Sequence, residues 1–578
     1  METQQRLKPS VAKPWLQFFT KEAIASEVPK ATIYDVIKEA NKEHLDNYAL
    51  NYFGKRITYK QLFERVEVTA AAFESLGVKK GDTVVCCTVT IPEMVYTLYA
   101  LNKIGATLFT VDPRMPAAFV KETVEAANAK VLMYIDLYYE TFKPIFSEIN
   151  VEKIITISAS TSLPRLIKTL MNLKMPAPKI EYTEHLVDWK TFYNYGKGKS
   201  SSSAKYGDNE IAAITLTGGT TGVPKGVMLT NDGFNAVMHS FRHCGLDYKR
   251  DQRFLNIIPA FSSYGIVASL HMPLGLGLET VVIPKFNPDK VGYYVKKYRP
   301  AHTLLVPSHY EKLMNSKEMR NNFDLSFFET AGSGGDTMNE GLEAKLNNFL
   351  KERGAKFPLS QGYGMSEVSS AASCCCNGNF RSMSVGYPLL NTVISVFEPG
   401  TTNELGFNEV GEICISGPSI MAGYFNNPEE TEKIMIKHPD GTVWVHSGDL
   451  GRMDEDGFVY IKGRIKRMIT LFNGHKVFPT QVENVIGQNE DVQSCAVVGV
   501  KDRTHAQGEM PLAVVQLRDG SNESTVRDDL NSSFMKDLDF SSRPFDVEFV
   551  KEMPHTGMEK IDYKKLAEDY ENTVDHKG

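Results

Sequence analysis

Between residues 217 and 226 the chain reads Thr217, Gly218, Gly219, Thr220, Thr221, Gly222, Val223, Pro224, Lys225, Gly226. Glycines let backbone N–H groups close around an anion, threonine hydroxyls add donors, and Lys225 supplies a cation, so the composition is that of a phosphate grip. The loop follows an apolar run, Ile211 to Leu216, that reads as a buried strand. It leads into Val227 to Thr230 and a helical pattern that Asn231 or Asp232 would cap. A strand, a glycine-rich loop and a helix in this order fit an α/β fold. The loop is not a Walker A element, because Pro224 stands where that motif needs a glycine directly before the lysine. Taken alone it could equally be a solvent-exposed turn.

Three further segments bear on the choice. They are Gln361-Gly362-Tyr363-Gly364-Met365-Ser366-Glu367, Trp444-Val445-His446-Ser447-Gly448-Asp449 and Gly463-Arg464-Ile465-Lys466, and near the end come Pro554-His555-Thr556 and Lys560-Ile561-Asp562. In order and spacing these resemble the adenylate-forming superfamily of acyl-CoA synthetases, firefly-type luciferases and peptide-synthetase adenylation domains. The likeness covers most of the chain. The first resembles the family's aromatic-Gly-x-Thr-Glu element, the second its Trp-x-x-Thr-Gly-Asp element, the third its hinge and the last its closing lysine motif.

At 578 residues the chain exceeds what one hydrophobic core supports, so two or more domains are expected. Helical and strand patterns alternate from about Thr32, as in Tyr59 to Leu76 (helix) and Thr83 to Val89 (strand), and again from Ile211 to about Leu390, with a strand at His302 to Val306. Val393 to Phe397 and Glu412 to Ser416 read as short strands of a smaller β-rich subdomain. A hairpin signal at Asp456-Gly457 runs straight into Arg464 and Lys466, where the domain boundary is placed. The expectation is a large α/β domain of two subdomains plus the β-rich one (residues 1–465) and a small mobile α+β lid (466–578), with strands at Cys495 to Val500 and Leu512 to Leu517 and a helix from Ser524.

A net charge of −6 provides no basic field for nucleic acid, and no apolar run of about 20 residues or signal-peptide core is present, so a cytoplasmic enzyme is expected. The 8 cysteines lack metal-ligand spacing and read as buried, inert thiols.

The resemblance implies a carboxylate attacking the α-phosphorus of ATP. Two anions must meet, and only fixed positive charge and aligned donors offset their repulsion in a partly dry site. By the resemblance, Thr217 to Gly226 hold the triphosphate and Glu367 coordinates Mg²⁺, a hard cation suited to oxygen ligands. Ser366 contacts the α-phosphate. Tyr363 stacks on adenine, helped by Gly334, Gly335 and Asp336. Asp449 accepts hydrogen bonds from the ribose hydroxyls, reinforced by Arg464. Lys560 is the mobile cation of adenylation. The lid turns about Lys466, after which the backbone near Gly474 lines a channel for the thiol of CoA.

Pro259 to Gly265 resembles the family's acyl-site element. Serine at 262 replaces the histidine of many CoA ligases and the aspartate of amino-acid-activating domains, which argues against an α-amino acid. Arg467 replaces a commonly acidic neighbour, Glu559 replaces a glycine, and the stretch from Ile469 to Gly474 is one residue long for the family. Phe261, Ser262, Tyr264, Ala331 and Gly332 are expected to line an apolar acid pocket. An insertion-like stretch from Ser162 to Lys174 sets leucines and cations at helical spacing. It could touch a membrane surface, and the plainer reading is a helix packed on its own domain.

These readings converge on an ATP-dependent ligase joining an apolar carboxylic acid to CoA through an acyl-AMP. Only 18 residues follow Lys560, which favours free CoA as acceptor. The alternatives are a stand-alone ligase that loads a carrier protein and a non-catalytic nucleotide-binding scaffold.

Overall fold

A computed structural model describes residues 8–174, 178–217, 224–502, 504–505, 507–554 and 561–571. The first two-thirds of the chain forms two large, mainly parallel sheets. One has seven strands, with Ile211–Leu216 between Thr107–Val111 and the antiparallel edge strand Gly226–Thr230. The other has nine, in which Arg253–Asn256, His302–Leu305, Thr330–Ser333 and Ser360–Tyr363 run side by side in parallel. Parallel strands need helical crossovers, and the alternation seen in the sequence supplies them. The helix Tyr59–Ser75 has a full capping box, Thr58 with Gln61, and the next strand is Thr83–Cys87.

A five-stranded antiparallel sheet follows. In it Val393–Phe397 pairs with Gly411–Ser416, which pairs with the long strand Val443–Met453, and Val459–Arg464 pairs with the far side of that strand. The hairpin expected at Asp456-Gly457 is present, with Gly457 at φ +95°. From Ile469 onward the chain packs hydrophobic cores of its own, around Val482, Val515 and Leu530 and around Val498, Leu512 and Leu566. The three-stranded sheet Val492–Lys501, Glu509–Leu517 and Asp546–Val550 carries the helices Pro479–Ile486, Glu523–Asp537 and Tyr563–Glu571. This is the expected large N-terminal unit with a small C-terminal one.

Two local expectations change. The helix Asn231–Arg242 is capped by Thr230, which stays extended (φ −91°, ψ 162°) and accepts from Gly233 N, so Asn231 and Asp232 lie inside the first turn. Asn231 is buried and accepts instead from Ile33 N and Asn102 Nδ2. The helix Arg165–Lys174 packs on its own domain through Ile167, as the plainer reading has it, but not through its leucines: Leu166, Leu170 and Leu173 are exposed. All 8 cysteines are free, and only Cys495 is not fully buried. Among the described residues, no helix is long and apolar enough to cross a membrane.

Candidate active site

The loops that carry the site leave the C-terminal ends of parallel strands, where an open α/β sheet leaves a crevice and where backbone groups are free for ligands. Thr217 follows Ile211–Leu216, Gly334 follows Thr330–Ser333, and Ser366 follows Ser360–Tyr363. All open on one cavity of about 1870 Å³. Its walls include Thr217, Lys225, Phe261, Ser262 and Tyr264. They also include Gly334, Gly335, Asp336, Tyr363, Ser366 and Glu367 and, from the β-rich subdomain and lid, Asp449, Arg464 and Lys466. Segments separated by hundreds of residues therefore meet at one place.

Asp449 and Arg464 are direct partners across the antiparallel ladder, and this register brings Arg464 Nε to 2.8 Å from Asp449 Oδ1. Arg464 Nη1 also donates to Ser447 O, 3.1 Å away. The other oxygen of Asp449 accepts from Tyr363 OH at 2.5 Å. Burial raises the Asp449 carboxyl above its usual range, while Arg464 and Tyr363 pull it down. Beneath it, Glu412 accepts from Gly448 N at 2.9 Å and meets His446 Nδ1 at 2.9 Å, and His446 Nε2 lies 3.0 Å from His438 Nε2. Cys414 lies against this pair, with the three donor atoms of Glu412, Cys414 and His446 within 4.8 Å of one another. The hydrogen bonds account for the cluster. They also fix the turn that aims Asp449.

At the phosphate end, Thr217 and Lys225 clasp each other: Thr217 N donates to Lys225 O (2.9 Å) and Lys225 N to Thr217 Oγ1 (3.0 Å). Gly218, Gly219, Thr220, Thr221 and Gly222 lie outside the described residues, as does Lys560. The Lys225 ammonium pairs with Glu430 and sits 4.7 Å over the Tyr424 ring. Lys225 and Lys433 together hold the Glu430 carboxyl down to about 2. Tyr424 OH donates to Glu367 Oε1 at 2.6 Å. Glu367 Oε2 has no hydrogen-bond partner among the described residues, and Glu367 lines the cavity. The segment around Tyr424 is held in place by backbone bonds from Met421 N to Glu367 O, Met228 N to Gly423 O and Phe425 N to Gly226 O.

The acyl-site element is a turn of unusual width, Ser263 leading into the π-type helix Tyr264–His271. Ser262 does not face a substrate freely. Its Oγ donates to Pro259 O (2.8 Å) and accepts from Gly265 N (3.1 Å), closing its own turn. Ser263 is the neighbour that reaches Ser366, its Oγ lying 3.0 Å from Ser366 Oγ. A Cβ on Gly265 would stand 1.9 Å from Pro259 O, so only glycine allows this approach.

Ala331 and Gly332 are a correction. They sit in a strand paired on both sides and are absent from the cavity wall, with Ala331 packed in the core and a Gly332 Cβ blocked by Leu304 at 2.4 Å. Gly474 (φ +81°) tips the small ladder of Ile469–Thr470 and Lys476–Val477 and does not line the cavity either. Lys466 lies in the single turn Ile465–Arg467. Its neighbour Arg467 pairs with Glu483 and stacks 3.5 Å over the Tyr563 ring, both inside the C-terminal unit. That pairing explains a cation at a position where the family commonly has an acid.

Tyr424, Glu430, Ser263, Glu412 and His446 were missed in the sequence as site residues. His446 and Ser263 carried a signal, since they lie within the Trp444 to Asp449 motif and the Pro259 to Gly265 element; the others did not.

A family model described as AMP-binding enzyme matches residues 37–425, and its companion, the AMP-binding enzyme C-terminal domain, matches 481–560. A long-chain-fatty-acid–CoA ligase of Bacillus subtilis (strain 168) is 28% identical over 572 residues, 98% of this chain and 99% of the relative. A 4-coumarate–CoA ligase 1 of Arabidopsis thaliana is 28% identical over 524 residues, 89% of this chain and 88% of the relative. Among solved structures, ATP-bound MatB from Rhodopseudomonas palustris superposes with a TM-score of 0.78 at 22% identity, over 93% of this chain and 99% of that one. The anthranilate CoA ligase AuaEII bound to anthranoyl-AMP superposes at 0.79 and 19% identity, over 94% and 98%. With two family models that together match most of its length, the chain belongs to the AMP-binding enzymes, the adenylate-forming superfamily of the acyl-CoA synthetases.

Proposed function

We propose that this chain is an AMP-forming acid–CoA ligase acting on an apolar carboxylic acid. The observation that carries the reading is convergence: Tyr363, Glu367 and Asp449 share one cavity, with Tyr363 and Asp449 in direct hydrogen bond.

In the first step a carboxylate oxygen of the acid bonds to the α-phosphorus of ATP while the bond to the β-phosphate bridging oxygen breaks, releasing pyrophosphate and leaving acyl-AMP. Lys225 and the Thr217 to Gly226 loop offset the charge of the triphosphate, Ser366 donates to the α-phosphate, Tyr363 packs on adenine and Asp449 holds the ribose. Glu367 lines the cavity, and the oxygen that Tyr424 does not take suits a hard cation, so Glu367 would hold Mg²⁺. The ion would spread the charge of the phosphate oxygens. Lys560 brings its ammonium between the two anions.

In the second step the thiol of CoA attacks the acyl carbonyl and AMP leaves with the bonding pair, a difficult acylation split into two easier ones. The lid, residues 466–578, turns at Lys466 between the steps and brings Gly474 toward the thiol path.

Support for an apolar acid comes from the aromatic and aliphatic lining that Phe261, Tyr264, Phe286, Tyr52 and Leu163 contribute. The names of the relatives, a long-chain fatty acid ligase and a 4-coumarate ligase, are both of apolar acids. The test is pyrophosphate release from ATP with a panel of fatty, aromatic and polar acids, with and without CoA. Acid-dependent release followed by CoA-dependent thioester is expected. Release with no acid in the panel would leave a nucleotide-binding scaffold, and transfer only to a carrier protein would replace CoA as acceptor.

A further inference from the structure

The helix Arg165–Lys174 leaves an apolar stripe uncovered. Leu166, Leu170 and Leu173 recur at i, i+4 and i+7 and so share a face. They are 79%, 55% and 76% exposed. Leu137 and Tyr182 are also half exposed. An exposed apolar stripe along one face of a ten-residue helix marks a contact site.

Along the helix and its flanks the charge is one-signed. Between Glu152 and Glu181 the sequence has no aspartate or glutamate but holds Lys153, Arg165, Lys168, Lys174 and Lys179. Arg165 and Lys179 are exposed, and Lys168 is half exposed. Its cation reaches Lys55 on a neighbouring hairpin: burial first, then Arg65 and Lys168, hold the Lys55 ammonium below its ordinary value.

The helix also touches the cavity. Ile167 on it and Leu163 just before it line the cavity wall, as does Leu137. At the entry to the helix, Ser162 Oγ donates to buried Glu93 Oε1 at 2.6 Å, anchoring the segment to the domain.

We propose that this helix docks the protein on an anionic lipid bilayer, its leucines in the interface and its cations at the headgroups, with the acyl side of the cavity set against the layer in which apolar acids dissolve. The purpose of the surface rests on the apolar-acid reading above; its binding chemistry does not.

Full-length protein is sedimented with phosphatidylcholine vesicles, with and without phosphatidylserine. Wild type pellets with the anionic vesicles, less at high salt. A variant carrying Leu166→Asp, Leu170→Asp and Leu173→Asp falls by about tenfold or more in partitioning. A second variant, Arg165→Glu with Lys168→Glu, loses the preference for anionic vesicles. Both variants keep the wild-type rate of pyrophosphate release with a short, water-soluble acid. Wild type remaining in the supernatant, equal binding by the leucine variant, or a self-associated wild type that this variant renders monomeric overturns the proposal. Vesicle binding without any acid-dependent pyrophosphate release upholds the surface and overturns the ligase reading.

Discussion

Tyr363 OH donates to Asp449 Oδ2 at 2.5 Å across 86 positions of sequence, tying the aromatic ring proposed to pack on adenine to the carboxylate proposed to hold the ribose. A hydrogen bond to a buried charged group contributes about 1.5–3 kcal/mol. Tyr363→Phe keeps the ring and loses this bond, so KM for ATP rises by about tenfold or more with a smaller change in kcat. Steady-state kinetics over ATP concentration check it. An unchanged KM would show that Asp449 is aimed by Arg464 alone.

Lys560→Ala abolishes adenylate formation and leaves thioester formation from supplied acyl-AMP largely intact, because the charge is needed only while two anions approach. Pyrophosphate release and single-turnover acyl transfer separate the two. Equal loss of both steps would mean that Lys560 serves the lid as a whole.

Gly265→Ala places a methyl group 1.9 Å from the backbone oxygen of Pro259, which cannot swing aside. Overpacking of this kind costs about 1–3 kcal/mol and opens the turn that Ser262 closes. A lower thermal midpoint, with loss of acid-dependent pyrophosphate release in the protein that still folds, is the expected result. Wild-type activity would show that the acyl-site turn tolerates displacement.

His302 and His271 are buried, and burial lowers both to about 3. Their folded values lie below the ordinary 6.5, so the unfolded chain takes up protons that the folded chain refuses. The stability they allow is present above pH 6.5 and is lost as pH falls toward 3. His302→Gln removes one such site. The wild type therefore loses about 1.4 kcal/mol per pH unit relative to the variant between pH 6 and 5. Urea unfolding at a series of pH values measures the gap, and parallel curves would mean that His302 is protonated in the folded protein.

Much of the fold was legible in neighbouring residues, because strand alternation, helix caps and glycine turns are local. Val393–Phe397 was bounded correctly, and the strand expected at Glu412 to Ser416 begins one residue earlier, at Gly411. The cap, expected at Asn231 or Asp232, falls one or two residues earlier at Thr230, the extended residue whose hydroxyl reaches Gly233 N. Ala331 and Gly332 were assigned to the pocket because they are small. Pairing on both strand edges, which no window of sequence reveals, puts them in the core instead. The leucine stripe at 166–173 was visible, but whether another surface covers it depends on how the domain packs.

By itself, then, the sequence determined the class of fold and the order of the glycine-framed segments, since each is written in contiguous residues whose backbone preferences act over a few positions. Tertiary structure alone decided that Lys225 pairs with Glu430, 205 positions away, that Ser263 meets Ser366, and that Tyr424 occupies one oxygen of Glu367. Such partners are chosen when sheets stack and loops close, and loop closure costs only the logarithm of chain length, so distance along the sequence says almost nothing about which charges meet.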